Sequence, residues 1–267
     1  MKTLIEHGWV VAWNGATHEV HEQGHLVYEN DRVVHAGGAY AGPVDARVSA
    51  KGMLVSPGFI NTHVHPTGPG GDYLLMDQAK NDYRTANYMA FAAPLKGKVQ
   101  PPPPAAVAAL RRYVLLHTLK GGTTTIVDVG GLRGDWEGYV RLIDELGVRV
   151  YGAPPFRDRN TFTDERGRLY YEEDVAFGKK ALDEAVGFVR AFDGAAGGRV
   201  RGMLSAAQVE TCTEGLLRAG RDAARELDVP CSPTRAATSS SSSASWRSTG
   251  RRRSSSWPTS ASSTTGC

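Results

Sequence analysis

Two histidines one residue apart, at the end of a short apolar strand, constrain the fold of this chain more than any other feature. Residues 56–66 begin with a Pro-Gly turn, and residues 59–65 are typical of a strand. Because side chains alternate along a strand, His63 and His65 are predicted to point to one face and Val64 to the other. Two imidazoles that converge from one rigid strand form half of a transition-metal site.

From residue 58 onward, strand patterns alternate with helical patterns. The predicted elements are a helix at 105–120, a strand at 123–129, a helix at 139–146, a strand at 148–153, a helix at 172–192, a strand at 200–205 and a helix after Thr213 as its N-cap. Such alternation predicts a parallel sheet with helices outside, either a barrel or a doubly wound sheet. The glycine patterns of phosphate and dinucleotide loops are absent, which favours the barrel.

The strand with His63 and His65 resembles the first barrel strand of the amidohydrolase superfamily, whose signature is an apolar Pro-Gly-Phe-Ile-x-x-His-x-His. Residues 121–128, Gly-Gly-Thr-Thr-Thr-Ile-Val-Asp, are similar to the second barrel strand of that superfamily. Residues 202–217 resemble strand four and its helix in the cytosine-deaminase and chlorohydrolase-like branch. The resemblance implies a (β/α)8 TIM-like barrel, of which about four βα units are present.

Three regions follow from these patterns. Residues 1–57 contain short strands between turn signals, and the resemblance implies that they form part of a small β-sandwich. Residues 58–230 are predicted to form the partial barrel. Residues 231–267 contain 14 serines and five arginines and no acidic residue, so this low-complexity tail is predicted to be disordered.

The resemblance implies a metal-dependent hydrolase that acts on non-peptide C–N or C–halogen bonds of a small molecule. His63 and His65 would be ligands to a divalent metal, zinc or iron. The superfamily branch takes further ligands from a histidine on strand five and an aspartate on strand eight, and proton-transfer groups from strands five and six. Those positions are not found here, and no histidine follows His117. Metal binding is therefore expected to be incomplete and the chain inactive, and no catalytic residue is singled out.

A frameshift is predicted near codon 231. A shifted frame permits an apolar residue, Gln, Pro, His and Ala directly after Val229, where the resemblance places the strand-five histidine. On this interpretation the sequence is the first half of an amidohydrolase with a truncated reading frame.

The loop at 68–104 follows the histidine strand, on the face where barrels build their active sites.

Three functions stay open: a metal-dependent hydrolase, a non-catalytic fragment of one, and an RNA-binding protein that uses Arg251–Arg253, Trp246 and Trp257 of the tail. Without the arginines of the tail, 26 basic residues stand against 28 acidic ones, so we do not expect the body to bind nucleic acid. No signal peptide and no long apolar run are visible, which predicts a cytoplasmic protein without a membrane partner. The oligomeric state is left open.

Overall fold

The computed structural model describes residues 1–66, 103–129, 134–163 and 169–233. The chain divides into two compact units, Met1–Phe59 and Ile60–Cys267. This division falls two residues after the boundary predicted between residues 57 and 58.

The first unit is a five-stranded sheet. Its strands are β1 (Lys2–Trp13), β2 (His18–Glu29), β3 (Arg32–Gly37), β4 (Ala46–Ser49) and β5 (Leu54–Val55). The order is β3-β2-β1-β4, with β5 also paired to β1. Neighbours β1, β2 and β3 are antiparallel, whereas β4 and β5 run parallel to β1. The strand-rich character expected of this region agrees with the structure, and Leu4, Val10 and Val27 are its fully buried side chains.

The second unit alternates strands and helices. Its elements are β6 (Phe59–Val64), α1 (Pro104–Lys120), β7 (Thr123–Asp128), α2 (Trp136–Leu146), β8 (Arg149–Gly152), β9 (Arg159–Thr163), β10 (Leu169–Glu173), α3 (Val175–Phe192), β11 (Val200–Gly202), β12 (Leu204–Ala206), α4 (Glu214–Glu226) and β13 (Cys231–Pro233). A 3-10 turn, Val209–Thr211, precedes α4. Within the described ranges, no helix has the length and apolar character needed to cross a bilayer.

The central sheet has the order β11-β8-β7-β6. Strand β8 runs parallel to both β7 and β11. The fourth strand position is interrupted at Met203, after which β12 pairs in parallel with β13. Four successive βα units are therefore present, as the sequence predicted, and the α/β class with parallel strands is confirmed.

The start of the predicted tail needs a correction. The sequence predicted a disordered segment from Cys231, yet Cys231–Pro233 forms β13, with Cys231 opposite Leu204 and Ser232 opposite Ser205. The low apolar content of the segment does not prevent pairing, because backbone hydrogen bonds to β12 do not require apolar side chains. Residues 234–267 lie outside the described part of the chain.

Apolar stripes of the helices cover one face of this sheet. Each helix turns residues spaced three or four apart toward the strands, as amphipathic helices do. The fully buried side chains that result include Leu115, Ile126, Tyr139, Ile143, Val150, Ala185, Phe188 and Leu204. The opposite face of β6 carries the two histidines.

Helix α3 begins later than its sequence pattern predicted. The stripe predicted a helix over 172–192, but Glu172 and Glu173 belong to β10, which pairs with β9 in a hairpin. The helix begins after Asp174, whose side chain accepts a hydrogen bond from the Phe177 amide at 2.9 Å. An Asp cap of this kind satisfies an amide that would otherwise lack a partner at the helix start.

Candidate metal site

The two histidines of the predicted half-site lie side by side. The Nε2 atoms of His63 and His65 are 3.1 Å apart, and the ring centroids are 5.0 Å apart at an interplanar angle of 72°. Both residues are exposed, whereas Val64 between them is 8% exposed and belongs to the core. The predicted orientation, with both imidazoles on one face and Val64 on the other, agrees with the structure.

The separation of the two nitrogens suits a shared metal ion. Zinc–imidazole bonds of about 2.0–2.1 Å at a tetrahedral angle place two nitrogens roughly 3.3 Å apart. The observed 3.1 Å therefore needs only a small adjustment of either ring. The donor set, two neutral imidazoles, is one that zinc and iron accept. The residues present thus fit a divalent metal as two of its ligands.

Hydrogen bonds fix the backbone around this pair. The Val64 carbonyl accepts from the Val129 amide at 3.1 Å, which ties the end of β6 to the end of β7. The His63 amide donates to the Asn61 side-chain oxygen at 3.1 Å. The backbone that carries the two rings is therefore held at the paired end of β6.

Within the described ranges, no group of three or more His, Cys, Asp or Glu side chains comes together in a way that could hold a metal. Asp128, at the end of neighbouring β7, is fully buried and accepts a hydrogen bond from the hydroxyl of Tyr139 on α2, the helix that follows β7. Its carboxylate thus turns to the helices that cover the sheet, away from the exposed face of the histidines. The structure therefore brings together the two predicted residues and no third ligand among the residues it describes.

Asp128 belongs to a buried polar group that the sequence did not indicate. The Tyr139 hydroxyl donates to Asp128 Oδ2 at 2.9 Å, and the Arg111 guanidinium lies 5.4 Å from the centre of the Tyr139 ring. Burial raises the pKa of Tyr139 well above its usual range, and the Asp128 charge raises it further. The Tyr139 hydroxyl therefore stays protonated and serves as a hydrogen-bond donor.

The loops after β8 and β12 contain further buried polar groups. Asp158 accepts from the Thr213 amide at 2.7 Å and from the Thr213 hydroxyl, so it caps α4 together with Thr213, the predicted N-cap. Glu210 is 7% exposed, and its charge adds to burial in raising the pKa of Tyr171. No periodicity marks either group in the sequence, because each depends on contacts between segments far apart in the chain.

Two predicted regions lie almost entirely outside the residues that the structure describes. The expected active-site loop at 68–104 lies outside the described residues except at its last two positions. Trp246, Trp257 and Arg251–Arg253, on which the RNA-binding alternative rests, also lie outside them.

The sequence is similar to curated deaminases. A 5-methylthioadenosine/S-adenosylhomocysteine deaminase of Desulforudis audaxviator is 27% identical over 244 residues, which cover 86% of this chain and 47% of the relative. A deaminase of the same name from Bacillus thuringiensis is 27% identical over 226 residues, covering 81% of this chain and 46% of the relative. The chain thus spans about half the length of the curated relatives it matches.

Solved structures share the fold. An adenosine deaminase from Xanthomonas campestris with bound zinc matches with a TM-score of 0.68 at 20% identity, over 94% of this chain and 53% of that one. An atrazine chlorohydrolase from Arthrobacter aurescens complexed with zinc matches with a TM-score of 0.64 at 20% identity, over 86% of this chain and 52% of that one.

The family assignment rests on the second unit together with the end of the first. The sequence profile of the amidohydrolase family matches residues 54–232, which include the histidine strand and all four βα units. The chain belongs to the amidohydrolase family.

Proposed function

We propose that this chain provides the first part of a metal-dependent hydrolase that acts on a non-peptide C–N bond of a small molecule. The observation that carries the proposal is the His63–His65 pair at the end of β6, with Nε2 atoms 3.1 Å apart. The curated relatives named as deaminases support cleavage of a C–N bond. A C–halogen bond is the alternative, supported by the similarity to a chlorohydrolase structure.

The roles of the two residues follow from their chemistry. His63 and His65 would hold a divalent metal, zinc or iron, through their Nε2 atoms. When bound, such a metal supplies activation of water for attack on an electrophilic carbon. The strand pairing at Val64 fixes the backbone that carries the two side chains.

We further propose that the chain does not turn over substrate by itself. Two neutral imidazoles bind zinc weakly compared with three or four ligands. The described residues provide no group of three or more side chains that could hold a metal. A non-catalytic fragment of an amidohydrolase is therefore our interpretation of this polypeptide.

Metal titration of the purified protein tests the assignment. We expect weak cobalt or zinc binding that shifts the imidazole NMR signals of His63 and His65. His63→Ala and His65→Ala should each abolish that shift. His117→Ala, at an exposed histidine on α1, should leave it unchanged. Deaminase activity should be absent from the wild type and from every variant.

Two results would contradict these proposals. If His63→Ala binds metal as well as the wild type and His117→Ala does not, the ligand assignment is wrong. Stoichiometric zinc that survives dialysis, together with deaminase activity, would show that the chain is not an inactive fragment.

The cytoplasm is the compartment we propose. The frameshift near codon 231 stays a prediction, and the nucleotide sequence of the locus decides it. The small-molecule substrate is supported by the names of the deaminase relatives. The RNA-binding alternative stays untested.

A further inference from the structure

A buried polar group lies between the helices and β7, the strand next to the histidine strand. Asp128 ends β7 and is 0% exposed. The Tyr139 hydroxyl of α2 donates to Asp128 at 2.9 Å. Arg111 of α1 is 5% exposed and places its guanidinium carbon 5.4 Å from the Tyr139 ring centre. Three consecutive elements therefore meet around Tyr139.

This carboxylate is one residue from the contact that fixes the histidine strand. Val129 follows Asp128, and its amide donates to the Val64 carbonyl at 3.1 Å. Val64 separates His63 from His65, so the orientation of its peptide groups sets the direction of both imidazoles. Val64 itself packs into the core and is 8% exposed, which leaves the strand end little freedom to turn.

We propose that Tyr139 and Asp128 are positioning residues for the His63–His65 pair. The hydrogen bond from Tyr139 holds the Asp128 side chain against α2. The Asp128 backbone then directs the Val129 amide at the Val64 carbonyl, and the paired carbonyl fixes the backbone that carries the two imidazoles. This inference rests on the proposed metal-ligand role of the pair for its functional meaning, and on contacts of this chain alone for its structural part.

The physical reason is the cost of leaving a buried carboxylate short of a donor. When the hydroxyl is removed, Asp128 loses one of its hydrogen bonds, and its side chain is expected to shift toward another donor, because a buried charge is stable only when it is hydrogen-bonded. That movement pulls on the Val129 amide. Groups that orient metal ligands from outside the coordination sphere act in this way, and their loss weakens metal binding.

The test compares Tyr139→Phe with Tyr113→Phe. Both substitutions remove one hydroxyl, but Tyr113 is 60% exposed on α1, where its ring stacks on His117. Asp128→Asn is a second variant, which keeps an acceptor for Tyr139 and removes the charge.

The first measurement needs no metal. Hydrogen exchange at the Val129 amide is compared with exchange at the Val150 amide, which donates to the Arg199 carbonyl at 2.8 Å and reports opening of the sheet elsewhere. We expect Val129 exchange about fivefold to tenfold faster in Tyr139→Phe than in Tyr113→Phe, relative to Val150. Asp128→Asn should fall between them.

The second measurement is cobalt titration of the folded protein, followed through the imidazole NMR signals of His63 and His65. We expect about threefold to tenfold weaker binding in Tyr139→Phe, at or below the low end of the effect seen for groups that orient metal ligands. Tyr113→Phe should bind as the wild type does.

The outcomes separate this inference from the proposed function. Equal Val129 exchange in Tyr139→Phe and Tyr113→Phe would overturn the positioning role, whatever the metal does. Faster Val129 exchange, together with cobalt signals that His63→Ala does not change, would leave the structural coupling intact and refute the metal assignment. A uniform increase of exchange at Val129 and Val150 would show a purely structural loss and would also overturn the inference.

Discussion

Two glycines of α3 should respond in opposite ways to the same substitution. Gly187 has open space where a Cβ would stand. A Cβ on Gly178 would lie 2.4 Å from the Asp158 Cβ, 3.1 Å from the Asp158 Cα and 3.3 Å from a Leu216 methyl group. Carbon atoms in ordinary contact are about 3.5–4.0 Å apart, so Gly178→Ala requires a shift of roughly 1 Å.

Asp158 cannot make that shift freely. Its amide donates to the Thr211 carbonyl at 3.2 Å, and its carbonyl accepts from the Asp174 amide at 2.6 Å. Its carboxylate accepts from the Thr213 amide at 2.7 Å at the start of α4. Movement of Asp158 therefore weakens the cap of α4 as well as the loop after β8.

The magnitudes follow from these contacts. Overpacking costs about 1–3 kcal/mol. Loss of one hydrogen bond to a charged group costs about 1.5–3 kcal/mol. Replacement of a mid-helix glycine by alanine stabilises a helix by about 1 kcal/mol. We expect Gly178→Ala to destabilise the protein by about 2–4 kcal/mol, whereas Gly187→Ala should stabilise it by about 0.5–1 kcal/mol.

Urea unfolding followed by circular dichroism measures both variants. A double variant, Gly178→Ala with Asp158→Ala, is compared with Asp158→Ala alone. Both proteins lack the carboxylate that caps α4, and both keep the Cβ at position 158, so the difference between their stabilities measures the clash. Should Gly178→Ala stabilise the protein as much as Gly187→Ala, α3 does not pack on Asp158 as described and the reasoning is refuted.

Two further predictions concern ionisable groups. Burial, followed by the Asp158 charge, raises the pKa of the Cys212 thiol to about 11. We therefore expect Cys212 to resist iodoacetamide at pH 8 in the native protein and to react once urea unfolds the chain. Peptide mass mapping measures the extent of alkylation. Rapid native alkylation would contradict this burial. The Arg112 guanidinium lowers the pKa of Glu145 through two hydrogen bonds of 2.6 Å. The stabilisation of the folded protein by this pair is therefore present above the unfolded-state pKa of glutamate and is lost as the pH falls through the lower folded-state pKa. Because both side chains are exposed, we expect Glu145→Gln to lower the urea midpoint only slightly at pH 7. The effect should be smaller in high salt and absent at pH 2. An equal effect at both pH values would contradict the pairing.

Much of the second unit could be predicted because its signals are local. The β-branched run before Asp128 gives β7, and the glycines at 121, 122 and 147 end helices where the sequence placed their ends. The hairpin β9–β10 was not predicted, because its pairing competes with a helical stripe that starts at Glu172. The polar groups around Asp158 and Glu210 were also not predicted, since each joins loops that lie far apart in the chain.

The sequence by itself determined that His63 and His65 share a face. Strand alternation is a property of the local backbone and needs no neighbour. Only the tertiary structure gave the 3.1 Å separation of the two Nε2 atoms, because that distance depends on side-chain rotamers, which strand alternation does not set. It also decided that Asp128 turns toward Tyr139 and away from the histidines, since the buried face of a strand is fixed by the helices that pack on it.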